Sequence, residues 1–199
     1  MHGSDAINSE EKLLVCRSDG ETSIHKHDFV EIVYFETGIG THYIDKQTYA
    51  ARNGNVCVLN TEVEHFYSIK RETSNQISVI NIIFYPDFFS GNYTGHNFID
   101  EFYYSLFNEH IDKNNQTKYI QLSRDLNKEI SNLFHMLKRE FEKKDIGYLE
   151  LCRSLITTIL IKIFNDYRKN ITQKENTLSN SNKSLVENII SYLKRNIQK

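Results

Sequence analysis

Pro86, the only proline in a chain of 199 residues, falls where the hydrophobic repeat changes period, and that change limits the fold more than any other feature. Before it, runs rich in Val, Ile, Tyr and Phe alternate with turn residues: Phe29–Glu36, Thr41–Asp45, Val56–Asn60, His65–Lys70 and Gln76–Tyr85. Strand side chains repeat every two residues, and short strands at close spacing build a sandwich or barrel. Gly38-Ile39-Gly40, Lys46-Gln47 and Asn53-Gly54-Asn55 supply the turns between them. Proline cannot donate to a sheet ladder, so the sheet is expected to end at Pro86.

Beyond a mixed segment, the period becomes helical. Leu122, Leu126, Ile130, Leu133, Phe134, Leu137 and Phe141 recur at three- and four-residue steps, which predicts an amphipathic helix. Gly147 precedes a broader stripe of Leu149, Cys152, Leu155, Ile156, Ile159, Leu160, Ile163, Phe164 and Tyr167. A helix that apolar is buried on more than one side. Thr172–Lys183 is polar and reads as a linker. Ser184 and Glu187 then form a capping box before a last amphipathic helix. A lone helix after a linker has nothing of its own to pack on, so the chain is expected to stop inside a second domain. The domain reading is therefore 1–86 barrel, 87–171 helical region, 172–183 linker and 184–199 trailing helix.

Composition excludes several classes. With 39% hydrophobic and 25% charged residues the chain is not a disordered one, and a net charge of −2 argues against a generic polyanion binder. Three cysteines without a CxxC pair give neither a disulfide framework nor a thiolate zinc finger. The acidic, polar N-terminal residues exclude a secretory signal, and Leu155–Phe164 is about half a membrane span. A soluble cytoplasmic protein with no membrane partner is expected.

The chemistry concentrates in His25, His27 and Glu31, which share one face if the segment is a strand, and in His65 at the start of a later strand. Three imidazoles and a carboxylate suit a divalent cation such as Zn, Ni, Fe or Mn. They suit equally a pocket for an organic ligand, or a polar core with no ligand at all.

The spacing of His25, His27, Glu31 and Gly38, then Gly54 and His65, resembles the two motifs of the cupin superfamily, small antiparallel barrels with an interior metal site. Gly20, Asn60, Glu62 and Ile69 depart from that pattern. The wider run His25-Lys-His27-Asp-Phe-Val-Glu31, Gly38-Ile-Gly40-Thr-His42-Tyr43, Gly54-Asn-Val-Cys-Val-Leu-Asn60 and Glu64-His65-Phe66 resembles the sensor domain of AraC-type transcription regulators. The resemblance implies an α+β chain: an N-terminal antiparallel cupin barrel (a double-stranded β-helix), then an α-helical dimerisation segment. It implies a small effector, a sugar or another metabolite, in a pocket of His25, His27, Glu31, Tyr43, His65 and Tyr67. Alternation along the strands leaves open that the two tyrosines point away from that pocket. The resemblance also implies a homodimer built on Leu133, Phe134, Leu137 and Phe141, although the same stripe could cover the helix's own domain. DNA would be bound only through a further C-terminal domain, of which Ser184–Asn196 resembles the first helix, and no catalysis is implied. The alternative is a metal-dependent cupin enzyme of the dioxygenase or sugar isomerase class, with His25, His27, Glu31 and His65 as ligands.

Overall fold

The computed structural model describes residues 7–69, 77–89, 117–167 and 169. The chain divides into two compact units, Met1–Phe164 and Asn165–Lys199, and the architecture below is that of the first. The expected linker (172–183) and trailing helix (184–199) lie outside the described residues.

Among the described residues, eight strands form two antiparallel sheets: β1 (Leu13–Asp19), β2 (Val30–Thr37), β3 (Ile39–Ile44), β4 (Gln47–Arg52), β5 (Asn55–Leu59), β6 (His65–Ile69), β7 (Ser78–Phe84) and β8 (Thr117–Gln121). One sheet has the order β1-β7-β2-β5-β8 and the other β4-β3-β6. Five of these strands match the expected runs. The expectation that the sheet ends at Pro86 needs correction, because β8 pairs with β5 from Asn55↔Gln121 to Leu59↔Thr117. Pro86 does leave the ladder, opening a short 3-10 helix over Pro86–Phe89. A five-residue strand thirty residues later carries too short a pattern to announce itself.

The register assigns faces. Val33 opposes Cys57 on β5 and Asn81 on β7, and Phe35 opposes Val79. Val33, Phe35, Cys57, Leu59 and Val79 pack with Ile44, Ala51 and Tyr67 of the second sheet, so this face is the barrel interior. The next residues along, Ile32, Tyr34, Val58, Ile80 and Ile82, are just as buried but point the other way. A helix lies against this face at β1 and β2, and β2, β5 and β7 are buried at nearly every position rather than alternately.

Two glycines are demanded by this closure. A Cβ on Gly40 would sit 2.5 Å from the Ser68 backbone oxygen and 2.4 Å from Ile77 Cδ1, so β3 and β6 could not approach. Gly54 turns with φ +80°, donating its N–H to Phe35 O at 3.1 Å and accepting from Leu122 N–H at 3.1 Å. One tight turn thus ties β2 to the start of the helical region.

Helix α1 (Arg124–Lys143) lays Ile130, Phe134, Leu137 and Phe141 on the sheet's outer face. Phe134 packs on Tyr34 with ring centroids 5.0 Å apart. Tyr34 Oη donates to Asn127 Oδ1 at 2.8 Å, and Asn127 Nδ2 donates to Asn53 Oδ1 at 2.9 Å. Three of the four residues expected at a dimer interface, Phe134, Leu137 and Phe141, are therefore buried within their own chain, and Leu133 is half-buried. For these three, the surface that the amphipathic stripe meets is the barrel wall of their own chain. Helix α2 (residues 148–167) buries Cys152, Leu155, Ile156, Ile159, Leu160 and Ile163. Its Arg153 guanidinium lies 4.8 Å from the Phe88 ring centroid and donates to Phe88 O at 3.3 Å. Cys16, Cys57 and Cys152 are free thiols. Among the described residues, no helix is long and apolar enough to cross a membrane.

Candidate functional site

Glu31 is the one charged side chain of β2 that points into the barrel, and it is 4% exposed. A carboxylate so placed must be hydrogen-bonded or paired. His27 Nε2 lies 3.1 Å and His65 Nε2 3.2 Å from the same oxygen, Oε2. The strand expected to carry both His25 and His27 does not form. Both residues lie in the irregular segment between β1 and β2, where His25 makes a single antiparallel bridge to His65 through its N–H and carbonyl. His27 is fixed instead by stacking on Phe29, with centroids 4.0 Å apart and planes 7° apart. The rings converge all the same: His25 and His65 lie 4.2 Å apart, His27 and His65 5.1 Å.

The backbone fixes the tautomers. Nδ1 of His25 is 2.8 Å from Ser23 O, Nδ1 of His27 2.9 Å from Phe29 O, and Nδ1 of His65 3.3 Å from Val63 O. A carbonyl only accepts, so each Nδ1 carries a proton, and a neutral ring then turns a lone pair at Nε2 inward. Two such lone pairs facing Glu31 Oε2 repel it. The contact becomes attractive only when positive charge stands between them, either protons on Nε2 or a cation in their place. Nδ1–H held by carbonyls with Nε2 left free is also the arrangement that orients imidazoles as metal ligands. Donor atoms of His25, Glu31 and His65 all lie within 4.8 Å of one another. The set therefore fits a divalent cation. Burial would push the Glu31 carboxyl up, but with Nε2–H groups of His27 and His65 turned to it the carboxyl is held well below the usual carboxylate range.

Of the six residues expected in the pocket, His25, His27, Glu31 and His65 gather here, and Tyr67 joins them from β6, 3% exposed on the inner face. Tyr43 does not. It stands on the outer face of β3, stacked on Phe66 with centroids 4.4 Å apart and planes 3° apart. Its neighbour His42 takes the inward place, with its ring 4.4 Å from Tyr67 and 5.6 Å from His65. His42 is wholly buried, and burial, with His65 beside it, pushes its imidazole down to about 3. It is thus neutral at physiological pH. Sequence reasoning missed His42, although strict alternation from Gly40 and Ile44, both inward, would have placed it. His25 alone is exposed, so the cluster communicates with solvent at that side.

A two-sheet barrel with a histidine–carboxylate cluster on its inner wall defines a cupin-type domain. The chain belongs to the AraC-like ligand binding domain family, which it matches over residues 13–156. It is 23% identical over 198 residues, 98% of its length, to the HTH-type transcriptional activator RhaR of Mannheimia succiniciproducens, and it spans 64% of that protein. A segment of 66 residues is 35% identical to the HTH-type transcriptional activator RhaS of Klebsiella pneumoniae, covering 33% of this chain and 22% of that one. Among solved structures, apo ToxT from Vibrio cholerae is similar over 82% of this chain and 56% of its own, with 13% identity and a TM-score of 0.46.

Proposed function

We propose that this chain is the effector-sensing part of an AraC-type transcription activator, and that it does not catalyse a reaction. The carrying observation is the Glu31 carboxylate, buried in the barrel yet next to the exposed His25, with His27, His65, His42 and Tyr67 around it. A small effector entering beside the exposed His25 exchanges hydrogen bonds with these side chains. Its influence on the rest of the regulator requires only unequal affinity for two arrangements, commonly ~1–3 kcal/mol of coupling. DNA contact falls to segments outside the described residues. A homodimer fits this reading, formed through the exposed Leu151 and Ile161 of α2, with Ser154 and Thr158 between them at helical spacing. The likeness to one transcriptional activator along nearly the whole chain supports the sensor over the enzyme.

The test is a thermal-shift screen of the purified chain against water-soluble metabolites, followed by NMR of each stabilising compound after prolonged incubation. The expected result is a compound that raises Tm and is recovered unchanged. Consumption of the compound would move the protein to the enzyme class.

The same cluster is proposed to hold a divalent cation through His25, His27, Glu31 and His65, where it would supply the positive charge that the inward lone pairs require. Occupancy at a hundred times Kd stabilises by ~2.7 kcal/mol. Chelator-treated protein is therefore expected to gain about 5–10 °C in Tm with Zn(II) or Ni(II). His25→Ala, at an exposed position, should abolish the gain without unfolding the chain. An equal gain in wild type and variant would place the metal elsewhere, and no gain would leave protons in its place.

A further inference from the structure

Strand β7 reads Ser-Val-Ile-Asn-Ile-Ile-Phe, and every one of its residues is buried. Asn is depleted from strands because its amide competes for backbone hydrogen bonds. Here it stands in a central position, paired on one side with β1 and on the other with β2. Asn81 is 7% exposed, and its Oδ1 is buried without a hydrogen-bond partner among the described residues. A buried amide oxygen without a partner is a net cost to the fold that an apolar residue of similar size would not carry. Val, Ile or Leu would extend the pattern of the strand, so the fold itself supplies no reason for the amide.

The register shows where that amide points. Asn81 is directly opposite Val33, an interior residue, and directly opposite Cys16 on β1. It therefore looks into the barrel. Glu31, paired with Ile83, is the next inward residue along the same strand pair. Diagonal neighbours of this kind have their Cβ atoms within ~8 Å, which a molecule of metabolite size spans. Cys16 is half-buried rather than sealed, and its thiol is pushed up by burial first and then by the Glu31 charge, which agrees with a shared face.

We infer that Asn81 is a recognition residue of the effector site: its primary amide pairs with a hydroxyl or amide group of the ligand, while Glu31 and its histidines hold the other end. This rests on the effector-sensing reading and adds to it a named contact and a chemical requirement. A primary amide presents an acceptor and a donor side by side, and a hydroxyl can answer either. A ligand end that is purely apolar, or a bare carboxylate that only accepts, leaves Oδ1 unanswered.

The experiment uses aldopentoses, aldohexoses, their monodeoxy analogues and short-chain alkanoates as probes, read by thermal shift and calorimetry on wild type, Asn81→Leu and the smaller Asn81→Ala. Hydroxyl-bearing probes are expected to stabilise wild type, and one monodeoxy analogue to lose that effect. Loss of one buried hydrogen bond corresponds to about a tenfold or greater weakening, expected in both variants for that probe. Asn81→Leu is also expected to raise the Tm of the ligand-free chain, because it removes an unanswered polar atom. Equal binding by wild type and both variants would sink the role of Asn81 while leaving the sensor reading intact. A lowered Tm for ligand-free Asn81→Leu, with binding retained by Asn81→Ala, would make the amide a structural element. If alkanoates alone stabilise the protein, the chemical requirement is wrong. If the metabolite screen and these probes all leave wild type unmoved, the sensor reading falls together with the inference.

Discussion

Phe134→Ala is expected to cost about 3–5 kcal/mol of stability, the range for deleting a fully buried aromatic ring from a packed core. The ring has no exposed surface and packs at 5.0 Å on Tyr34, whose own hydroxyl is held by Asn127 of the same helix. Removing it opens a cavity between α1 and the outer face of β2, and the neighbours nearest to it belong to a strand paired on both sides and cannot collapse freely. For a chain of this size the loss corresponds to a fall of roughly 10 °C or more in Tm. Urea denaturation followed by circular dichroism measures it. Because the contact is within one chain, the change should be the same at every protein concentration. A small loss of stability joined to a large rise in the monomer fraction would mean that Phe134 meets a second copy, as its sequence pattern alone allows. Leu151→Lys on α2 has the opposite profile under the proposed dimer, with little change in folding and a shift in sedimentation toward monomer.

That contrast shows what could be read from the sequence. Ile130, Phe134, Leu137 and Phe141 revealed a helix with one apolar face, because a 3.6-residue period is a property of the segment itself. Which surface meets that face is a property of the sheet, and the sheet's outer wall of Ile32, Tyr34, Ile80 and Ile82 lies in runs with apolar residues on both faces, where alternation does not mark it. The site divides along the same line. His25, His27, Glu31 and His65 stood out as residue types that a barrel interior does not take without a reason. The supposed mechanism of their convergence, a shared strand face, was wrong for the first two: their positions depend on the His25–His65 bridge and the stacking of His27 on Phe29, both tertiary contacts. Tyr43 and His42 exchanged roles because one step along a strand reverses the face. Strands β4 and β8 carry Gln47 and Gln121 among few apolar residues, and the apolar part of β1 is only Leu13 to Cys16, so their pairing partners define them better than their own patterns do.

Acid should destabilise this chain earlier than its carboxylates alone would require. The buried His42 ring titrates at about 3 in the folded protein, against 6.5 for an exposed histidine. Between those values the unfolded chain binds a proton that the folded one refuses, so stability falls as pH falls. At ~1.36 kcal/mol per pH unit the loss amounts to about 3 kcal/mol from pH 6.5 to 4.5, and roughly 5 kcal/mol by pH 3. His25 is lowered as well, chiefly by burial, and adds loss of the same sign. Glu31 acts in a separate window. Its folded value lies well below the ordinary 4.5, so its contribution is complete above 4.5 and disappears only as the pH drops further. Urea titrations at pH 7.5, 6.5, 5.5 and 4.5 isolate the histidine part. His42→Phe, which keeps an aromatic ring against Tyr67 and Phe35, should flatten most of the slope over that interval and leave the steeper loss below pH 4.5. An unchanged slope would mean that His42 accepts a proton within the folded barrel. The inner wall would then carry positive charge at mildly acidic pH, whereas a neutral His42 leaves Glu31 and its partners to set the charge that an effector meets.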